Sequence, residues 1–117
     1  TDKYIFTHGW IPKEADWRNG DWHSARWTNG MQAWKDNIVV DDKTIFCGHW
    51  HTSWGHCHID HKCPEWDNYI TKEKADFSTF EKDGIIALDA CTAVSGFINC
   101  YVLTIGKAQL EKYLQGR

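Results

Sequence analysis

The run Thr44-Ile45-Phe46-Cys47 is apolar and rich in β-forming residues, and it ends abruptly at Gly48-His49-Trp50-His51. Such a run, closed by a breaker, reads as a buried strand. The glycine lets the backbone turn tightly there, because it has no Cβ to clash. Two imidazoles at i and i+2 are then presented from one short loop at a strand end. Imidazole is the commonest side-chain metal ligand near neutral pH, since binding through it needs little desolvation or deprotonation. A buried strand that ends in a metal-binding loop is therefore the first constraint on this chain.

The remaining elements are read around that strand, taken as 44–48. Residues 4–8 form a second short apolar run, bounded by Gly9 and Pro12, and predict a buried strand ending at His8. Residues 13–23 are polar and rich in Asp, Asn and Gly, hence loop. A helix is predicted over 24–36, with Ser24 as N-cap and Trp27, Met31 and Trp34 as one apolar stripe. Gly30 inside it costs roughly 1 kcal/mol relative to alanine. Ile38-Val39-Val40 reads as the approach to a strand and Asp41-Asp42-Lys43 as a turn. Residues 49–83 are irregular, and so long a loop in a compact domain is functional or disordered. Apolar runs at 84–90 and 97–105, separated by Cys91 to Gly96, predict a hairpin, and Lys107 to Gln115 a short helix carrying Leu110 and Leu114. With no internal repeat, low-complexity tract or linker, residues 1–117 read as one domain of the α/β (α+β) class.

Thirteen Lys+Arg against sixteen Asp+Glu, with no basic block, exclude nucleic-acid or anionic-membrane binding driven by bulk charge. No 18-residue apolar run exists to span a membrane, and no signal segment is present. Five cysteines cannot all pair within one chain, so reduced thiols in a cytoplasmic protein are the simpler reading. All eight tryptophans fall between Trp10 and Trp66, more than a core this size absorbs. The surplus predicts an aromatic-walled groove or an apolar surface covered by another segment, and a homodimer through strand edges or the tryptophan-rich face is the expected form of self-burial.

The loop Gly48-His49-Trp50-His51 resembles the Gly-His-x-His signature of the calcineurin-like metallophosphoesterases. Two other segments are similar to that family in the same order. Tyr4 to Pro12 resembles its strand-then-His-Gly motif, and Gly84 to Cys91 with Gly96 to Leu103 resembles the closing strand pair of the serine/threonine protein phosphatase branch. These pieces correspond to the family's second half only. The Asp-x-His, Gly-Asp-x-x-Asp and Gly-Asn-His-Asp/Glu motifs should precede the His-Gly strand, and only three residues precede Tyr4. Asp21-Trp22-His23 spells the first of them but follows a polar stretch and is read as coincidence. The chain opens on Thr1 and enters a strand almost at once, which suits a piece of a longer protein.

The resemblance implies the C-terminal half of a metallophosphoesterase β-sandwich, with a mixed sheet and flanking helices. It implies a site for two divalent metal ions (Mn, Fe or Zn) that hydrolyses a phosphate ester of a phosphorylated substrate. His8 and His49 would hold one ion and His51 the other, the missing N-terminal half of the domain supplying the bridging carboxylate. Arg26, rather than Arg18, would bind the phosphoryl group. Three imidazoles without a carboxylate bridge cannot activate water in a two-metal site, so this chain alone is expected to be inactive. A competing class rests on Cys57, His58, His61 and Cys63, which could hold a separate structural zinc in a non-catalytic binding module centred on residues 47–63. Cys57 and Cys63 stand five residues apart, wider than the usual zinc-ligand pair.

Overall fold

Three of the apolar runs become parallel neighbours in one sheet. The computed structural model describes residues 1–67, 72–104 and 106–116 and shows an α+β fold. Its mixed sheet holds β1 (Tyr4–Phe6), β2 (Thr44–Cys47), β3 (Phe80–Lys82) and β4 (Ile85–Ala87) in the order β1-β2-β4-β3. β1, β2 and β4 run parallel, with Ile5 beside Ile45 and Ile45 beside Ile85, while β3 pairs antiparallel with β4. Parallel strands need cover on both faces, which is why these runs are continuously apolar rather than alternating.

One face has that cover. Ile45, Cys47, Phe80, Ile85 and Ala87 pack with Trp10, Ile11, Met31 and Ala33 in a single buried cluster. Met31 and Ala33 belong to α2 (Gly30–Lys35); α1 (Trp22–Ala25) precedes it and α3 (Ser53–His58) follows β2. Trp10 is fully buried, and its indole N–H donates to the Ile38 carbonyl at 2.7 Å.

The opposite face is thinly covered. Phe6 stacks on Phe46 at 4.9 Å between centroids, yet remains 59% exposed. Phe46 itself is buried, with Tyr101 edge-on at 5.4 Å. Tyr101 lies in residues 97–104, where positions 99, 101 and 103 are half-buried and 98, 100, 102 and 104 are exposed. That period of two is a strand's, but no sheet pairing is assigned to the segment.

Several predicted elements differ. The helix expected over 24–36 is two helices, because Asn29 caps α2 by accepting from the Met31 and Gln32 amides. Gly30 is thus the first residue of α2 rather than a mid-helix weakness. A Cβ there would stand 2.7 Å from the Trp10 ring and 2.9 Å from the Cys47 sulfur, so glycine permits the core to close. Ile38-Val39-Val40 forms no strand. The hairpin predicted across Cys91 to Gly96 is instead α4 (Thr92–Ser95), set between left-handed Cys91 and Gly96. The hairpin lies one step earlier, where Asp83-Gly84 joins β3 to β4 with Gly84 at φ 91°. The irregular stretch 49–83 contains both α3 and β3; its residues 68–71, like residue 105 of the predicted last strand, lie outside the described residues. The closing helix, α5 (Lys107–Gln115), matches its predicted span. Among the described residues no helix is long and apolar enough to cross a membrane.

Candidate metal centre

His8 and His49 follow adjacent parallel strands, at the carboxyl edge of the sheet where open α/β sheets bind ligands. The pairing continues past the strands. The Thr7 amide donates to the Phe46 carbonyl at 2.9 Å, and the Gly48 amide to the His8 carbonyl at 2.8 Å. This zipper brings His8 Nε2 within 3.1 Å of His49 Nδ1. The tight conformation falls on His49 rather than on the glycine before it: His49 sits at φ 65°, whereas a Cβ on Gly48 would meet only the His8 carbonyl at an ordinary 3.5 Å. A left-handed non-glycine residue costs about 1–3 kcal/mol and persists where its surroundings enforce it.

Gly9 places the second wall of this site. A Cβ there would lie 2.4 Å from the Arg26 carbonyl oxygen and 2.7 Å from that of Ala25. Only glycine allows the end of α1 to abut the His8 strand end, where the Trp10 amide donates to the Ala25 carbonyl at 3.0 Å. Trp27, just past α1, is thereby set beside the histidines, with Arg26 over its ring. The Trp27 ring lies 5.2 Å from the His49 ring and 6.0 Å from the His8 ring. The Arg26 guanidinium sits 4.9 Å over the Trp27 ring and donates to His23 Nδ1 at 3.0 Å.

His51 has different partners. Its Nδ1 is 2.5 Å from the Ser53 hydroxyl and its Nε2 is 3.9 Å from Glu65 Oε1, with the Trp66 and Phe77 rings against it. Burial lowers its pKa, against the raising effect of Glu65 and Asp89, which favours a neutral imidazole able to act as a ligand. The cysteine–histidine group behind it is dispersed. His58 pairs with Glu65 at 2.7 Å and stacks near Trp54, Cys63 sulfur accepts the Asp76 amide at 3.3 Å, and His61 is exposed. Among the described residues no three His, Cys, Asp or Glu side chains are grouped to hold a metal ion. The donor set here is therefore one imidazole pair. Cys47, directly before the loop, is an inert core thiol: burial first, and the Asp89 charge second, push its pKa up to about 12.

His56, within the stretch 49–83 expected to be irregular, is a buried anchor. Its Nε2 donates to the Ser78 carbonyl at 2.9 Å, and its Nδ1 lies 3.4 Å from Asp60. Asp60 also pairs with Lys82 at 2.6 Å, and Asp76 with Lys62 at 2.9 Å. The network ties α3 to β3, the first strand of the hairpin, and to the residues just before it. Burial of Asp76 opposes its ionisation, but hydrogen bonds from Ser78 and Lys62 outweigh it and hold the carboxyl far below 3.8. For Asp60, burial is likewise outweighed by Lys82 and His56, and its pKa is also lowered. A carboxyl depressed in the folded state stabilises fully above its unfolded value and loses that contribution as pH falls toward the folded one. Stability should therefore decline as pH drops below 3.8. Asp76→Asn should cost about 1 kcal/mol at pH 7, a value discounted for partial exposure, and flatten that decline. Urea titrations from pH 7 to 2 test this; an unchanged acid slope in the variant would refute it.

No protein-family model matches the chain, and no curated protein or solved structure matches it.

Proposed function

We propose that this chain carries the histidine half of a dinuclear metallophosphoesterase centre, on the C-terminal sheet of a metallophosphoesterase-type sandwich, and that the complete centre hydrolyses a phosphate ester. The observation that supports this reading is the 3.1 Å approach of His8 Nε2 to His49 Nδ1 at neighbouring strand ends. Two nitrogens each about 2.0–2.1 Å from a metal stand about 2.9 Å apart at an octahedral angle and about 3.4 Å at a tetrahedral one. The 3.1 Å spacing, at which the two rings are hydrogen-bonded to each other, falls between those values. The strain held at His49 and the parallel register that aligns the two strand ends point the same way.

A bound ion pair would supply Lewis acidity and an activated water. The chain's own residues have narrower tasks. His8 and His49 would hold one ion through their facing nitrogens, and His51, now paired with Ser53 and Glu65, would serve the second. Arg26, a planar cation held over Trp27, would orient the phosphoryl oxygens by its fork of N–H donors. The bridging carboxylate comes from outside this set, so catalysis needs a further segment.

The test is a cobalt or zinc titration followed by long-range imidazole NMR. Ring signals of His8 and His49 should shift together at one equivalent, while those of buried His56 stay fixed. Shifts confined to His58 and His61 would sink this proposal and favour a zinc module over residues 47–63.

A further inference from the structure

We infer that residues 97–103 are a pairing strand for a second copy of this chain, laid antiparallel across a two-fold axis at Cys100. The inference stands apart from the metal reading of His8 and His49. Residues 98–104 show the burial alternation of a strand, yet none of their backbone amides or carbonyls is hydrogen-bonded to another described residue. Side chains hold the segment from its inner side. The Asn99 side-chain amide donates to the Phe77 and Leu88 carbonyls at 2.7 and 3.2 Å, and the Tyr101 hydroxyl donates to Glu81 Oε1 at 2.8 Å. The outer side is apolar and open: Ile98 is 79% exposed, Val102 83%, and Cys100 between them is exposed. A backbone already anchored and still unpaired suits an added strand, because its main-chain hydrogen bonds then form at little ordering cost.

Charge and symmetry select the occupant. Exposed strand edges are ordinarily guarded by charges, prolines or covering groups. The two edges of the sheet have such guards. The Thr1 hydroxyl engages both the amide and the carbonyl of Tyr4 on β1, at 2.8 and 3.1 Å, and β3 carries Glu81 and Lys82. By contrast, no charged residue and no proline stands between Asp89 and Lys107, so nothing repels an identical strand. An axis at Cys100 uses the whole run and keeps inner residues opposite inner ones. It sets Cys100 against Cys100 of the second copy, Ile98 against Val102, Asn99 against Tyr101 and Phe97 against Leu103. Cross-strand pairs of β-branched and large apolar residues stabilise an antiparallel ribbon. Two-fold closure is the commonest outcome for a self-complementary patch.

Light scattering over a dilution series should show a monomer–dimer equilibrium. Cys100→Lys and Cys100→Asp each place like charges across the axis and should weaken the dimer about tenfold, while mixing the two variants should restore it. Register is read by cross-linking in a Cys57→Ser, Cys63→Ser, Cys91→Ser background, with diamide as oxidant. Two thiols give up two protons and two electrons as the S–S bond forms, and the diazene takes them up to become a hydrazine. Opposed Cα atoms in an antiparallel pair lie about 4.5–5.5 Å apart, within disulfide reach. Cys100 should therefore cross-link to its own counterpart. Moving the thiol, by Cys100→Ser with Val102→Cys, should abolish the cross-link, because the two copies of position 102 lie about 13 Å apart. Adding Ile98→Cys should restore it. A chain that stays monomeric at millimolar concentration overturns the pairing. So does a dimer that both charge variants leave intact, which places association on another face, or a cross-link from Val102→Cys alone as strong as that from Cys100.

Discussion

Trp10→Ala should remove most of the folding free energy of this domain. The side chain is completely buried at the junction of every layer on the covered face: it packs with β2, β4 and α2, and its N–H satisfies the Ile38 carbonyl at 2.7 Å. Truncating a buried tryptophan costs about 3–5 kcal/mol through lost transfer energy and the cavity left behind. The cavity cannot collapse easily, because Gly30 already brings the α2 backbone against that ring. A buried carbonyl left without a donor adds to the loss. A domain of this size has about 5–15 kcal/mol in total, so the loss takes a large share of it. Trp10→Phe retains the apolar contact but not the hydrogen bond, and should cost roughly half as much. Urea melts followed by far-UV circular dichroism decide it; a Trp10→Ala loss below about 1.5 kcal/mol would mean that the core closes without this residue.

The fold was legible in the sequence where burial imposes a run of one residue type. Tyr4 to Phe6, Thr44 to Cys47 and Ile85 to Ala87 were readable because each is a continuous run of apolar and β-forming residues, the pattern of strands in a parallel sheet. The β3 strand was not, since Phe80-Glu81-Lys82 at a sheet edge buries one residue in three, too few to make a pattern. Its Asp83-Gly84 turn was nonetheless a usable hairpin signal. α3 was hidden for a different reason. Its buried residues are Ser53, Gly55 and His56, and a helix that turns small and polar residues inward shows no apolar stripe. Residues 97–104 misled in the opposite direction: their alternation is real, with Tyr101 and Leu103 turned inward, but alternation reports which side faces the protein and not whether a neighbouring strand pairs.

The candidate site divides along the same line. His8 and His49 were recognisable because each ends an apolar run, and adjacent strand ends in one sheet are adjacent in space. The position of His51 was not, because it lies two residues beyond a left-handed turn at His49 that no spacing rule encodes. Trp27 had been assigned to a buried helical stripe with Met31 and Trp34. Asn29 breaks that helix, so only Met31 reaches full burial and Trp27 turns outward beside the histidines. Of the eight tryptophans, Trp22, Trp27 and Trp50 remain exposed.

His8→Ala and His49→Ala should each weaken cobalt binding by about 100-fold, and the double variant by little more, because the affinity of this pair arises from chelation. On the proposed reading, two imidazoles held 3.1 Å apart by paired backbones would bind an ion with the second contact nearly free of entropic cost. Once either ring is gone, the other is an exposed single ligand of the kind found anywhere on a surface. A 100-fold loss corresponds to about 2.7 kcal/mol, and the double-mutant cycle should return a coupling of about that size. Additive losses would show two independent weak sites and would refute a shared ion. The same residues permit a control for folding. His49→Gly removes the ligand but relieves the left-handed backbone at φ 65°, so its metal-free form should be as stable as the wild type or more stable by about 0.5–1 kcal/mol. A variant that folds better yet binds cobalt 100-fold less well separates the chemistry of His49 from its structural role.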